Sequence, residues 1–89
     1  MYRRRLKRRG GFCLPGYLYC GPGCSGPGKP VNVLDAICQE HDLCYQVSRN
    51  RFLCDQKMLA QLRPLLKLRT REGRDARLVY SFINKKIRL

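Results

Sequence analysis

No apolar run in this sequence is long enough to cross a membrane. After a basic start the one apolar stretch, Phe12 to Tyr19, is interrupted by Pro15 and Gly16. The same interruption argues against a signal peptide, so the chain reads as a mature product, a domain cut from something larger, or part of a particle that oxidises after leaving the cell. Acids are scarce too, with 6 Asp and Glu against 19 Lys and Arg and a net charge of +13. That excess calls for an anionic partner, either phospholipid headgroups or nucleic acid. No internal repeat is present. With 89 residues the chain makes one domain and buries too little apolar surface to rest on a core alone.

What it has instead is cysteine. Six in a small basic chain read as three disulfides, which implies an oxidising compartment. The charge is also unevenly placed: residues 1–9 carry +6, residues 10–56 carry −1, and residues 57–89 carry +8. The near-neutral middle is where the motifs lie. Residues 1–11, with Arg3-Arg4-Arg5, Lys7-Arg8-Arg9 and a closing Gly10-Gly11, read as a basic disordered arm and a candidate nucleic-acid contact.

The domain proper is expected over residues 12–89. Five glycines and four prolines from Phe12 to Pro30 exclude a regular helix and favour a folded loop over residues 14–30. Asn32 can cap a helix over residues 33–48, with Asp35 supporting its positive end and Leu34, Ile37, Cys38, His41, Asp42 and Tyr45 on the inward face. A second helix is expected over residues 53–70, carrying Leu53, Met58, Leu59, Leu62, Leu65 and Leu66 inward, with Pro64 kinking or ending it. Glu72-Gly73 reads as a further break. A third amphipathic helix then follows over residues 75–87, with Leu78, Val79, Phe82, Ile83 and Ile87 on one side. The fold class is mainly α, small and disulfide-linked.

Residues 38, 41, 42 and 45 fall on one side of the first helix, so an imidazole, a carboxylate and a phenol can share a cleft. Three readings compete for them. In the plainest, His41 is an ordinary part-buried histidine and Asp42 a surface acid, which leaves the flanking cysteines and the Gly21-Pro22-Gly23 loop without a role. In the second, Cys20, Cys24, Cys38 and His41 hold zinc in a small nucleic-acid-binding module, which leaves three thiols spare. In the third, glycine-loop carbonyls and Asp42 hold a hard dication, and His41 activates water.

The third reading coincides with a resemblance. Tyr19-Cys20-Gly21-Pro22-Gly23 and Cys38-x-x-His41-Asp42-x-Cys44-Tyr45 look like the calcium loop and catalytic helix of the secreted-type phospholipases A2. Leu14-Pro15-Gly16-Tyr17 and Glu40-His41-Asp42 are especially similar to the phospholipase A2 domain of parvovirus minor capsid proteins, the VP1 unique region. The resemblance covers residues 14–58 and implies a calcium-binding loop followed by two packed antiparallel helices and a C-terminal helix. It also implies calcium as cofactor, held by the main-chain carbonyls of Tyr19, Gly21 and Gly23 and by the Asp42 carboxylate. His41 would be the general base, Asp55 the carboxylate orienting it, Tyr45 a hydrogen-bond partner of that carboxylate, and the Gly21 amide an oxyanion donor.

The implied disulfides are Cys20 with Cys38 and Cys44 with Cys54, and the pattern leaves Cys13 and Cys24 over. Function then reads as hydrolysis of the sn-2 ester of glycerophospholipids, serving viral membrane penetration, in a virion or extracellular setting, with anionic membranes as partner. The alternatives are an inactive relative that binds calcium or membrane, and the zinc module. Two family features have no counterpart: the arm cannot supply an N-terminal helix, and only eight residues separate Tyr45 from Cys54, too few for a β-wing.

Overall fold

The computed structural model describes residues 13–21, 24 and 26–88, with side chains through Lys86. Three helices follow the loop: α1 over Val33–Val47, α2 over Arg51–Leu62 and α3 over Arg71–Arg88, with a 3₁₀ turn over Arg63–Lys67 between α2 and α3. No strand occurs among the described residues. The basic arm and the expected ligand Gly23 lie outside them.

Each helix boundary has a local cause. The Asn32 side chain accepts from the Asp35 amide at 2.9 Å, the expected cap. The second helix begins two residues earlier than expected, because the Asn50 side chain accepts from the Leu53 amide and caps α2. Pro64 cannot donate to a carbonyl four residues back, so regular α-helix stops at Leu62 and tightens into 3₁₀ instead of running to residue 70.

Gly73 is the plainest correction. It lies inside α3, whose first turn is capped by Thr70 accepting from the Gly73 amide. A Cβ at Gly73 would stand 2.1 Å from the Leu68 carbonyl oxygen, so this glycine permits close approach and does not break the chain.

Helices α1 and α2 run antiparallel. Cys44 is bonded to Cys54 near their shared turn, and Glu40, a turn further back, accepts from Gln61 at 2.8 Å. The loop is tied by Cys13–Cys24 and fastened to α1 by Cys20–Cys38, so all three pairs close and no cysteine is free. The core gathers Tyr17, Tyr19, Leu34, Ile37, Met58, Leu59, Leu62, Ala76 and Ile83. Three expected core residues face solvent instead: Leu53 on α2, and Leu78 and Phe82 on α3. On α3 the inward positions are Ala76, Val79, Tyr80 and Ile83, so its apolar side chains divide between two faces.

Candidate active site

Helix α1 presents His41 and Tyr45 one turn apart, and the second turn of α2 presents Asp55. The Cys44–Cys54 bond sits beside all three and fixes the separation of the two helices, with Cα atoms 5.8 Å apart. His41 Nε2 lies 2.8 Å from Asp55 Oδ1, and the Tyr45 hydroxyl donates to the same oxygen at 2.6 Å. The His41 and Asp55 side chains are 10% and 7% exposed.

An ionised carboxylate can only accept, so Nε2 carries the imidazole proton and Nδ1 keeps the free lone pair. The two rings are tilted, with centroids 4.4 Å apart. Burial pushes the Tyr45 phenol above its ordinary pKa; the Asp55 carboxylate adds to that and the Lys86 ammonium opposes it. The phenol therefore stays a donor toward Asp55 across the physiological range.

Asp42, next to His41, differs from every other carboxylate in the domain. Its Oδ2 is buried and has no hydrogen-bond partner among the described residues. Burial, and secondarily the charge of Asp35, pushes its carboxyl up to about 6. A buried, unpartnered carboxylate oxygen is costly unless a cation meets it, so the donor chemistry fits a hard dication.

The oxygens that could join it lie in the loop. Cys20–Cys38 holds the segment Tyr19–Gly21 against α1 one turn before Asp42, with Cα atoms 5.1 Å apart. Gly21 has φ 136°, and its carbonyl takes the Cys24 amide at 3.1 Å, leaving a second lone pair.

Asp35 is what sets this segment, and sequence reasoning gave it only an electrostatic part at the helix end. It is fully buried and accepts from the amides of Tyr19 at 2.8 Å, Val31 at 3.0 Å and Leu18 at 3.1 Å. A signal was present: Asp35 shares the inward side of α1 with Cys38 and Asp42, where an acid must find donors. Gly26 acts beside it. At φ 88° it lets the Tyr19 ring pass, since a Cβ there would meet the Tyr19 hydroxyl at 2.6 Å.

A second missed residue is Lys86. It donates to the Tyr45 hydroxyl and lies 3.9 Å from Asp55 Oδ1. The zinc reading fails on the same geometry, because Cys20, Cys24 and Cys38 are all consumed in disulfides. Among the described residues no cluster of His, Cys, Asp and Glu is suited to a metal; the oxygens named above include main-chain carbonyls.

Two groups of known proteins are similar to part of this chain. A 39-residue segment is 49% identical to the basic phospholipase A2 beta-bungarotoxin A2 chain of Bungarus caeruleus, covering 44% of this chain and 25% of that one. Over 40 residues the chain is 52% identical to capsid protein VP1 of porcine parvovirus (strain NADL-2), covering 44% of this chain and 6% of the capsid protein. Basic phospholipase A2 nigroxin A of Micrurus nigrocinctus is 45% identical over 40 residues, covering 45% and 32% of the two chains. The shared stretch is thus at most about a third of each relative's length. No solved structure matches. The phospholipase A2-like domain family matches residues 10–67, more than half of the chain and every residue of the His41 constellation, and to that family the chain belongs.

Proposed function

We propose that this domain hydrolyses the sn-2 ester of glycerophospholipids with calcium, releasing fatty acid and lysophospholipid. The observation that carries the reading is the His41–Asp55 pair set beside a buried Asp42 oxygen with no partner of its own. Asp42, with the carbonyls of Tyr19 and Gly21 and that of Gly23 from outside the described residues, would hold the ion. When bound, calcium supplies the positive charge that polarises the ester carbonyl and stabilises the developing oxyanion.

The residues of the chain do the rest. Nδ1 of His41 takes a proton from water as the water oxygen bonds to the ester carbon, and Asp55 stabilises the resulting imidazolium through Nε2. The Gly21 amide donates to the oxyanion. As the ester C–O bond breaks, His41 returns the proton to the departing glycerol oxygen. Tyr45 holds Asp55 in register throughout.

The lipid is met at a surface, and α3 offers a suitable one. Arg74, Leu78, Phe82 and Lys85 recur at three- and four-residue spacing and are all exposed. Apolar side chains flanked by cations match an anionic bilayer. None of the described helices is long and apolar enough to cross a membrane, so the contact is peripheral. The similarity to a parvovirus capsid protein supports reading this activity as one that serves membrane penetration by a virion.

Fatty-acid release from phospholipid, measured with calcium and with chelator, tests the proposal. Hydrolysis should require calcium, and His41→Gln should lower turnover by about 100-fold to 10,000-fold while the helical signal stays intact. Hydrolysis that persists in chelator overturns the mechanism. Calcium binding without hydrolysis identifies an inactive relative.

A further inference from the structure

We propose that Lys86 is a positioning residue for the His41–Asp55 pair, contributed by a helix that lies beyond the segment matched by the family. The proposal rests on the phospholipase reading for its catalytic consequence and on geometry alone for its structural one. The matched segment ends at residue 67, whereas Lys86 sits near the end of α3, 41 residues from Tyr45 in sequence. Its ammonium donates to the Tyr45 hydroxyl, stands 4.7 Å from the centre of the Tyr45 ring, and lies 3.9 Å from Asp55 Oδ1.

The arrangement is a relay of donors ending on one oxygen. Lys86 donates a hydrogen bond to the Tyr45 hydroxyl, Tyr45 donates one to Asp55 Oδ1, and His41 Nε2–H donates to that same atom. A phenol that accepts from a cation is a stronger donor, because hydrogen bonds in a chain polarise one another. A buried carboxylate also needs compensating charge, and among the described residues Lys86 is the one Lys or Arg within 4 Å of Asp55.

The other nearby cation acts elsewhere: the Arg51 guanidinium sits over the Tyr45 ring at 4.8 Å from its centre. Lys86 therefore fixes the rotamer of Tyr45 and the position of Asp55 Oδ1, and through them the direction in which His41 Nδ1 points. It touches no reacting atom. Lys67, exposed at the end of the 3₁₀ turn and away from Tyr45 and Asp55 in every hydrogen bond and ion pair described, serves as the internal control.

The test compares wild type, Lys86→Met, Lys86→Arg and Lys67→Met in the full chain. On dispersed short-chain phosphatidylcholine with calcium, Lys86→Met should lower kcat about tenfold with KM changed less than about twofold, and Lys86→Arg should recover at least half of the loss. Lys67→Met should leave both unchanged. In a Tyr45→Phe background the Lys86→Met loss should shrink below about threefold, since the hydroxyl that Lys86 holds is gone.

A second readout does not depend on activity. The chain has one histidine, so its ring N–H proton resonance needs no assignment. Exchange of that proton with solvent should quicken at least fivefold in Lys86→Met and stay near the wild-type rate in Lys86→Arg. Equal exchange and equal kcat in wild type and Lys86→Met overturn the proposal, as does an equal loss in Lys67→Met. If wild type hydrolyses nothing, the phospholipase reading fails, and the exchange rates alone decide the role of Lys86.

Discussion

Residues 13–67 and helix α3 contribute to one site by different means. The first region contains all six cysteines, the glycine loop, His41, Asp42, Tyr45 and Asp55, and it is stapled at three points. Helix α3 has no cysteine and none of the residues that the motifs name. It is held by packing of Ala76, Val79, Tyr80 and Ile83 and by side chains that each take hold of a different part of the stapled region. Glu72 accepts from the Leu34 amide in the first turn of α1, Asp75 accepts from the Tyr17 hydroxyl in the loop, and Lys86 reaches Tyr45 and Asp55. Covalent bonds fix where the reacting groups lie along the chain. The noncovalent clamp decides how still they are held.

The two can be broken separately. Replacing Cys44 and Cys54 together by Ala should cost about 2–4 kcal/mol of stability and release Asp55 from beside His41, so turnover should fall further than the melting curve suggests. Gly73→Ala breaks the clamp with every disulfide intact. The new methyl collides with the Leu68 carbonyl, and α3 must shift at a cost of about 1–3 kcal/mol. Thermal melting with peptide mapping under non-reducing conditions checks both. An unchanged melting temperature in Gly73→Ala would mean that α3 does not pack on residues 65–68 as described.

What was legible in the sequence follows the same division. The Asn32 cap, the shared side of His41, Asp42 and Tyr45, and the stop at Pro64 each depend on neighbours within a turn or so, and local rules reached them. Asp35 was seen only as a helix-end charge, because its three donors come from residues 18, 19 and 31 across a loop with no period. Gly73 looked like a break because sequence shows a missing side chain and not the carbonyl that needs the space. Leu78 and Phe82 were counted as core since they repeat with Val79 and Ile83, but adjacent positions on a helix diverge by about 100° and only one pair can face α2. Lys86 carried no signal at all: one lysine among many, it acquires a role only once α3 is docked.

Asp42 sharpens the comparison from inside the stapled region, since it is where the fold holds an acid at a disadvantage. Its carboxyl is lifted from the ordinary 3.8 to about 6 by burial and by Asp35. Below pH about 4 it is protonated in both folded and unfolded chains and favours neither. Between about 4 and 6 the folded chain keeps a proton that the unfolded chain has released, so stability falls as pH rises, and above that range the penalty is complete. Asp42 is half-buried, so the penalty is on the order of 1 kcal/mol, less than the full shift would imply. In chelator at pH 7, Asp42→Asn should therefore melt higher than wild type, and the difference should vanish near pH 4. Calcium should reverse the order, raising the melting temperature of wild type and not of Asp42→Asn. A variant that is less stable than wild type in chelator at pH 7 would show that Asp42 has a partner in the cation-free protein.

The smallest effects belong to the outer face of α3, where the clamp ends and the stripe proposed to meet lipid begins. Basic residues on this helix are not equivalent. Arg77 donates to the carbonyls of Leu66 and Leu68 at 2.9 and 3.2 Å, and Lys86 is engaged with Tyr45, so neither is an ordinary surface charge. Arg74 and Lys85 are exposed beside Leu78 and Phe82, which are 58% and 59% exposed. Near an anionic bilayer each such cation is worth about 1 kcal/mol at most, close to a fivefold change in adsorption. Arg74→Gln and Lys85→Gln should each weaken binding to phosphatidylserine-containing vesicles by up to that factor at low salt. The effect should fade as the screening length falls to about 10 Å at 0.1 M. Turnover on dispersed short-chain substrate should stay the same, because neither residue reaches the site. Leu78→Ser and Phe82→Ser should weaken adsorption at every salt concentration, since apolar burial is not screened. Equal binding to neutral and anionic vesicles, indifferent to salt, would remove electrostatics from this face. Tighter binding to nucleic acid than to vesicles would reassign its charge, because a salt-dependent cationic helix cannot by itself tell phosphate on a lipid from phosphate on a polymer, and the exposed Leu78 and Phe82 are what should tip the choice toward lipid.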